Sequence, residues 1–241
     1  MKKVERLLKG RKCIAFVDFE GTQFSHEMIA IGAVLCTLDR KNRVKTYKEP
    51  FKIYVKAKNN IGSFVTELTQ ITEEMLKKEG VRFNDALLAL KKYLGTKWKK
   101  CLFVTFGNHD MRILNQSIAY NFQFPKDFTS QFQKNYADFA SFIGEFVRDA
   151  NGNPLSLVNA CELFGVEIME PAHDPRSDAV NLARLYDAFL EKQDLVMEEY
   201  KKAVLHTTHM PEPMRKIITK LNNDEAVSPE DYDKFIKEYL Q

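Results

Sequence analysis

Two acidic residues stand two positions apart at the end of an apolar run. The run CIAFVDF, residues 13–19, has the length and the β-branched and aromatic content of a buried strand, and Asp18 and Glu20 lie where it emerges. Because side chains alternate along a strand, residues i and i+2 share one face. Adjacent carboxylates repel each other unless a cation lies between them. The pair is therefore either a ligand for Mg²⁺ or Mn²⁺ or two solvated acids at a strand end.

Three further residues could join this chemistry, and each also has an ordinary structural interpretation. Asp110 follows a second apolar run, in TFGNHD, and begins a predicted helix. An acid at that position commonly stabilises the first helical turn, by roughly 0.5–2 kcal/mol. His173 lies in a loop and Asp178 opens a helix, within AHDPRSDAVNLARL. Taken singly, these residues are two helix-start acids and an exposed histidine.

An α/β layer fold is predicted to position these residues. The apolar runs predict five strands, at residues 13–19, 28–38, 44–55, 102–106 and 136–139. The first three follow one another with short links, a pattern typical of an antiparallel meander. Apolar residues at helical spacing predict helices at residues 84–94, 110–120, 155–164 and 177–190. Strands followed by a strand–helix alternation predict a mixed five-stranded sheet flanked by helices.

The last part of the sequence differs in character from the rest. Residues 191–241 are charged helical segments interrupted by Pro211, Pro213 and Pro229. This change predicts a domain of residues 1–190 followed by an appended helical extension of residues 191–241. The extension could dock on the domain, pair two subunits or bind a partner, and no residue argues specifically for a homodimer.

Composition restricts the class of protein only broadly. A formal net charge of +3 over 241 residues is too small to indicate nucleic-acid binding by itself. The four cysteines are far apart, without the spacing of a zinc site, which predicts reduced and buried thiols. The basic N-terminus lacks an apolar stretch of signal-peptide length, and no run could span a bilayer. We therefore expect a cytoplasmic protein without a membrane partner.

In combination, these residues form an ordered signature. A strand with D-x-E, a strand–helix junction with an aspartate and H-x-x-x-x-D at a helix start resemble the motifs of the DEDDh 3′→5′ exonucleases. FVDFEGT and IAIGAV resemble the first motif and its following strand, while ELTQIT, residues 67–72, and TFGNHDMRIL resemble the branch that processes RNA 3′ ends. The resemblance covers residues 12–191. Gly21 stands where many members have Ala or Thr, and MEPAHDPRSD replaces a more glycine-rich loop.

The resemblance implies a fold and a mechanism. The fold would be similar to ribonuclease H, with carboxylates converging at strand ends. Asp18, Glu20, Asp110 and Asp178 would bind two Mg²⁺ or Mn²⁺ ions, about 3.5–4 Å apart as in other two-metal sites. His173 would act as the general base, since a largely neutral imidazole can accept a proton from water.

Substrate contacts are also carried over from the resemblance. Glu20, Gly21 and Thr22 would hold the terminal nucleotide through their backbone, together with His173 and a turn at Leu68 and Thr69. Leu68 would pack against the base, or would be an ordinary core leucine. Phe24 could offer a stacking surface or pack under a lid. Basic residues interleaved with aromatics, at residues 40–58 and 91–100, fit a single-stranded backbone groove or a solvated face.

Three hypotheses about function follow. The first is a 3′→5′ exonuclease that trims single-stranded RNA and releases nucleoside monophosphates, which ELTQIT favours. The second is the same chemistry on single-stranded DNA, as in proofreading or repair relatives. The third is a non-catalytic nucleic-acid-binding module, which is disfavoured because all five catalytic positions are present. No residue clearly reads a 2′-hydroxyl, so the sequence leaves RNA and DNA open.

Overall fold

A computed structural model of the chain describes residues 1–171, 173–207 and 209–240. Within them the chain forms one mixed sheet with helices packed against it, as the sequence predicted. The strands in the described residues are Cys13–Gly21 (β1), Met28–Leu38 (β2), Val44–Tyr47 (β3), Phe51–Tyr54 (β4), Leu102–Thr105 (β5) and Tyr136–Asp138 (β6).

The strand order explains how the site is assembled. The sheet runs β3-β2-β1-β5-β6, and β4 also pairs with β2. β2 is antiparallel to β1, β3 and β4, which confirms the predicted meander, whereas β5 is parallel to its two neighbours, β1 and β6. The carboxyl ends of β1 and β5 therefore lie at the same edge of the sheet. Asp18 and Glu20 come from the first of these ends, and Asp110 follows the second.

The predicted count of five strands is wrong, because residues 44–55 form two strands instead of one. The backbone N–H of Lys48 still donates to the carbonyl of Leu35, 2.9 Å away, but Pro50 has no N–H with which to continue a ladder. The chain then re-pairs with β2 further along, with Phe51 opposite Ala33. The mixed sheet consequently has six strands among the described residues.

The predicted helices are present with small shifts of their ends, and four further helices, at residues 2–8, 63–69, 73–79 and 126–134, do not follow from the sequence pattern. The helices are Lys2–Leu8 (α1), Ser63–Thr69 (α2), Glu73–Glu79 (α3), Phe83–Leu94 (α4), His109–Tyr120 (α5), Lys126–Lys134 (α6), Phe139–Ile143 (α7), Leu157–Leu163 (α8), Pro175–Glu191 (α9), Gln193–Leu205 (α10), Glu212–Asn222 (α11) and Pro229–Leu240 (α12). No helix among the residues that the structure describes is long and apolar enough to cross a membrane.

The longest helix, α9, packs on β1 and β2 through a face that excludes water. Leu182, Tyr186 and Phe189 on this face are fully or almost fully buried, and the rings of Phe16 and Tyr186 lie 5.5 Å apart. The Tyr186 hydroxyl donates to the carbonyl of Asn42, 2.9 Å away, so its polar atom is satisfied. This packing fixes the helix that carries Asp178. All four cysteines are buried and unpaired, as predicted.

The chain divides into two compact units. The first unit comprises Met1–Ser141 and Ser156–Glu191, and contains the sheet. The second comprises Phe142–Leu155 and Lys192–Gln241. Within the second unit, α11 and α12 are joined by ion pairs from Lys216 to Glu238, at 3.0 Å, and from Lys220 to Asp231, at 3.1 Å. Every site residue predicted from the sequence lies in the first unit.

Candidate active site

The carboxyl end of β1 presents the first two carboxylates. Asp18 pairs with Gly32 and Glu20 with Ala30 across the antiparallel ladder, so both side chains emerge on one face of the sheet. The strand is otherwise buried, whereas Asp18 and Glu20 are partly exposed. A register shift between Glu20 and Gly21 then ends the regular pairing. β1 therefore delivers two acids to a partly open edge.

Asp110 reaches the same place from the neighbouring strand. It lies in the first turn of α5 and is only 5% exposed. Its Oδ1 accepts a hydrogen bond from the backbone N–H of Phe19, between the two acids of β1, at 2.7 Å. The side chain is thus bonded to β1 as well as belonging to a helix start. A third carboxylate therefore joins Asp18 and Glu20.

A hydrogen-bonded turn places α5 so that Asp110 can do this. Gly107 has φ 108°, a backbone conformation that glycine adopts readily. Its carbonyl accepts hydrogen bonds from the hydroxyls of Thr105, at 2.7 Å, and Tyr136, at 2.8 Å, while its N–H donates to Asp138 Oδ1 at 2.9 Å. No sequence motif pointed to Thr105, Tyr136 or Asp138. Their grouping depends on the pairing of β5 with β6.

His173 and Asp178 meet at the start of α9. The backbone N–H of His173 donates to Asp178 Oδ2 at 3.2 Å, and His173 has the left-handed φ of 59°. Ligand atoms of Glu20, His173 and Asp178 all lie within 4.8 Å of one another. The structure thus brings the histidine loop and the start of α9 to the end of β1, although His173 and Asp178 lie more than 150 positions after Glu20 in the sequence.

Two contacts that the sequence did not reveal hold the start of α9 against the sheet. Gly32 of β2 faces the Pro175 carbonyl, and a Cβ built on Gly32 would lie 1.9 Å from that oxygen. On the neighbouring strand β4, Lys52 Nζ forms an ion pair with Asp174 Oδ2 at 2.6 Å. Gly32 and Lys52 are directly opposite in the ladder. Together they position the segment that carries His173 and Asp178.

The acids perturb one another strongly. Burial raises the pKa of Asp18 well above its usual value, and the charges of Asp110, Glu20 and Asp178 raise it further. Burial and then the charges of Asp178 and Asp110 raise the pKa of Glu20 to about 8. Burial raises the pKa of Asp110 to about 7, although its hydrogen bonds lower it. Burial also raises the pKa of Asp178, although the charge of His173 lowers it. The set is therefore short of positive charge.

The metal-free protein is expected to lose stability as the pH rises from about 5 to about 8.5. The raised carboxyl pKa values mean that the folded state binds more protons than the unfolded state over this range. Stability is then complete below the unfolded pKa values, near about 4, and declines as the pH passes through the folded ones. Melting temperatures measured in EDTA across this range check the sign. A melting temperature in EDTA that rises with pH would contradict this charge balance.

The predicted substrate contacts are placed less uniformly. Gly21 is buried, and a Cβ on it would lie 2.8 Å from Ile113 Cγ1, so a larger residue here would require Ile113 to move. Thr22 is buried, and its hydroxyl bonds Glu27 N–H at 2.9 Å and Ser25 Oγ at 2.6 Å. The Thr22 hydroxyl therefore forms hydrogen bonds within its own loop.

Leu68 and Thr69 lie in the last turn of α2, which corrects the expected turn at this position. ELTQIT spans the end of one helix and the cap of the next, since Thr72 accepts a hydrogen bond from Met75 N–H at 3.2 Å. Thr69 Oγ1 donates to the Val65 carbonyl at 2.8 Å. Leu68 is 39% exposed and is therefore not an ordinary core leucine. Its side chain is accessible to a ligand.

Two exposed phenylalanines extend this apolar surface. Phe24, just after the first motif, is 82% exposed, and Phe64 in α2 is 60% exposed. Phe64 lies four positions before Leu68, so both share one face of the helix. Gln23 N–H donates to the Ile61 carbonyl at 2.8 Å, which joins the loop after β1 to the segment before α2. Phe64 was not among the residues predicted from the sequence, although its i, i+4 spacing with Leu68 was a usable signal.

The family comparison agrees with the motifs. The family model described as "Exonuclease" matches residues 15–186, which is most of the chain and includes all five predicted catalytic residues. No curated protein has a significantly similar sequence.

Solved structures share the fold. The nuclease domain of 3′hExo, a DEDDh family member bound to rAMP, superposes with a TM-score of 0.61 at 22% identity, covering 76% of this chain and 93% of that one. A 3′-exonuclease that recognises the 3′ end of a histone mRNA stem-loop gives 0.61 at 24% identity, covering 75% and 82%. E. coli exonuclease I with a dA16 oligonucleotide gives 0.59 at 16%, covering 81% and 45%. With its ordered acidic motifs on a ribonuclease H-like fold, the chain belongs to the exonuclease family.

Proposed function

We propose that the chain is a divalent-metal-dependent 3′→5′ exonuclease that releases nucleoside monophosphates from single-stranded nucleic acid, with RNA as its first substrate. The observation that carries the proposal is the convergence of acids from β1, α5 and α9 beside His173. This cluster lies inside the region that matches the exonuclease family.

The acidic cluster fits a pair of hard divalent cations. Its ligands are carboxylate oxygens without a cysteine, a set that suits Mg²⁺ or Mn²⁺. Burial raises the pKa of all four carboxyl groups and the charges of neighbouring acids raise it further, so bound positive charge would relieve an existing cost. Asp18, Glu20, Asp110 and Asp178 would bind the ions. When bound, two such ions activate water and stabilise the departing 3′ oxygen.

His173 is the proposed general base. A ring nitrogen lies within 4.8 Å of carboxylate oxygens of Glu20 and Asp178, while the residue itself is exposed. It can therefore accept the proton of the attacking water and pass it to bulk solvent. The backbone hydrogen bond to Asp178 and the Lys52–Asp174 ion pair hold the loop during this transfer.

The apolar face of α2 is the proposed support for the terminal base. Exposed Phe64 and Leu68 share a face of this helix, and exposed Phe24 lies in the adjoining loop. Aromatic and aliphatic contact with a base is tolerant of sequence, because every base has an apolar face. The backbone of residues 20–22 would bind the terminal nucleotide next to the acids. This arrangement suits a single-stranded end.

DNA remains the second candidate substrate. ELTQIT resembles the RNA-processing branch, and the structural neighbours include one bound to rAMP, whereas E. coli exonuclease I is bound to single-stranded DNA. A labelled RNA oligomer and a DNA oligomer of the same sequence distinguish the two. With Mg²⁺ or Mn²⁺, a 5′ label should give a ladder that shortens from the 3′ end, faster on RNA.

The same assay tests His173. His173→Ala should keep the fold and the metal but lose about 10²–10⁴-fold in turnover, the usual contribution of general base catalysis. His109→Ala is the matched control, since His109 packs edge to face on His26 with ring centroids 5.2 Å apart and has no assigned role. Equal activity of His173→Ala and wild type would remove the base assignment. Release of the 5′ label as a mononucleotide without a ladder, as 5′→3′ digestion would give, or no cleavage with either metal, would overturn the proposal.

A further inference from the structure

A strongly cationic pocket lies at the edge of the sheet opposite the acids. The end of α1 and the start of β1 meet the segment before β5 there, around a pocket of about 500 Å³. We call this surface the basic edge. Its six cations are Lys9, Arg11, Lys12, Lys97, Lys99 and Lys100.

The charges of the basic edge are not compensated by acids. Among the residues that the structure describes, no carboxylate lies within 4.0 Å of a charged nitrogen of these six cations. Their polar contacts are neutral: Lys12 bonds the side-chain oxygen of Asn42 at 2.7 Å, and Arg11 bonds Asn135. Elsewhere in the same unit, cations such as Arg43 and Lys52 pair with aspartates. Since the whole chain carries only +3, the remainder is net negative.

Neighbouring pockets extend the basic edge in two directions. Lys99 also lines a second pocket, with Lys91, Lys92 and Trp98. There Lys91, which also pairs with Asp127 at 2.5 Å, lies over the Trp98 ring at 4.5 Å, and Lys99 lies over it at 5.4 Å. Lys12 lines a third pocket with Arg40 and Lys45, where Asp39 contributes one acid. The result is a continuous basic track with an aromatic ring in it, a combination typical of surfaces that bind a nucleic-acid backbone.

The basic edge is remote from the acids. It adjoins the first residues of β1, whereas Asp18 and Glu20 lie near its end. Eight residues of extended chain separate Lys12 from Glu20, which is about 26 Å along the strand. A group bound at this pocket therefore does not touch the reacting phosphodiester.

We infer that the basic edge binds the phosphate backbone of the nucleic-acid strand upstream of the 3′ end under digestion. This inference rests on the proposed function for the identity of the ligand. A polyanion with regularly spaced charges would satisfy several uncompensated cations at once and release its counterions. In this arrangement the acidic cluster cleaves the 3′ end, while the basic edge holds the rest of the strand.

The test compares two variants with the same change of charge. Lys97→Gln with Lys100→Gln removes two cations of the basic edge, and Lys77→Gln with Lys78→Gln removes two exposed cations of α3. Binding of a labelled oligouridylate of roughly 30 nucleotides is measured in EDTA at several salt concentrations. The plot of log affinity against log salt has a negative slope. The magnitude of this slope should decrease by about 1.4 in the first variant, at about 0.7 per lost phosphate contact, and should not change in the second.

Three further results decide the inference. Turnover of a dinucleotide with Mn²⁺ should be equal in both variants and wild type, because so short a substrate cannot reach the basic edge. If the wild type itself cleaves nothing, it is the proposed function that fails. An unchanged salt slope in the Lys97→Gln, Lys100→Gln variant overturns the inference. So does a variant that keeps its RNA affinity but loses binding to phosphatidylserine vesicles, since the ligand would then be a lipid surface.

Discussion

Asp18→Asn is expected to make the metal-free protein more stable, and to reduce turnover in the presence of Mg²⁺ or Mn²⁺ by about a thousandfold. Bound cations stabilise the transition state by several kcal/mol, and loss of a ligand carboxylate weakens this stabilisation. Each 1.36 kcal/mol lost lowers the rate tenfold. Stability changes in the opposite direction, because burial and the charges of Asp110, Glu20 and Asp178 raise the pKa of the wild-type side chain well above its usual value. A neutral amide of similar shape removes that repulsion.

Three measurements on one preparation test this pair of effects. Melting in EDTA at pH 8 should occur at a higher temperature than for wild type, stabilisation by added Mn²⁺ should shrink, and cleavage of a labelled oligomer should nearly cease. Asp85→Asn is the matched control, since Asp85 pairs with Arg82 on the surface of α4 and should affect none of the three strongly. A variant that keeps both its response to Mn²⁺ and its turnover would show that Asp18 does not bind the metal.

The sequence was sufficient for the parts of the site that depend on local pattern. An apolar run ending in D-x-E predicts a buried strand with two acids on one face, and the structure has this strand. A strand, a glycine turn and a helix start likewise predict where Asp110 lies. Motif order then predicted the family, and the family match confirmed it. The roles of the five residues stay proposals.

Other features depend on strand pairing and could not be read from local pattern. Lys52 and Asp174 are 122 positions apart, and only the re-pairing of β4 after Pro50 brings them together. The basic edge likewise requires β1 and β5 to be parallel neighbours, so that Lys12 and Lys100 lie just before the starts of adjacent strands. The sequence showed the basic run at residues 91–100, but not that residues 9–12 lie beside it in the fold.

Gly32→Ala is expected to be the most disruptive single-methyl change at this site. The added Cβ would lie 1.9 Å from the Pro175 carbonyl oxygen and 2.4 Å from Arg176 N, both backbone atoms that cannot rotate away. Either β2 or the start of α9 must then shift. Overpacking of this kind costs about 3 kcal/mol, which for a chain of this length lowers the melting temperature by roughly 6–12 °C.

Activity should fall further than stability alone requires. The displaced start of α9 carries Asp178 and adjoins His173, so molecules that remain folded should turn over slowly and respond weakly to Mn²⁺. Gly95→Ala is the control: its Cβ meets no atom within 4 Å, and only its backbone, with φ 57° and ψ −145° in a region that glycine alone adopts readily, opposes a side chain, at a cost of about 1–3 kcal/mol. Turnover per folded molecule, measured at a temperature where both variants are folded, separates displacement of the site from simple loss of stability. If folded Gly32→Ala cleaves as fast as folded Gly95→Ala, the close contact between β2 and α9 does not position the catalytic groups.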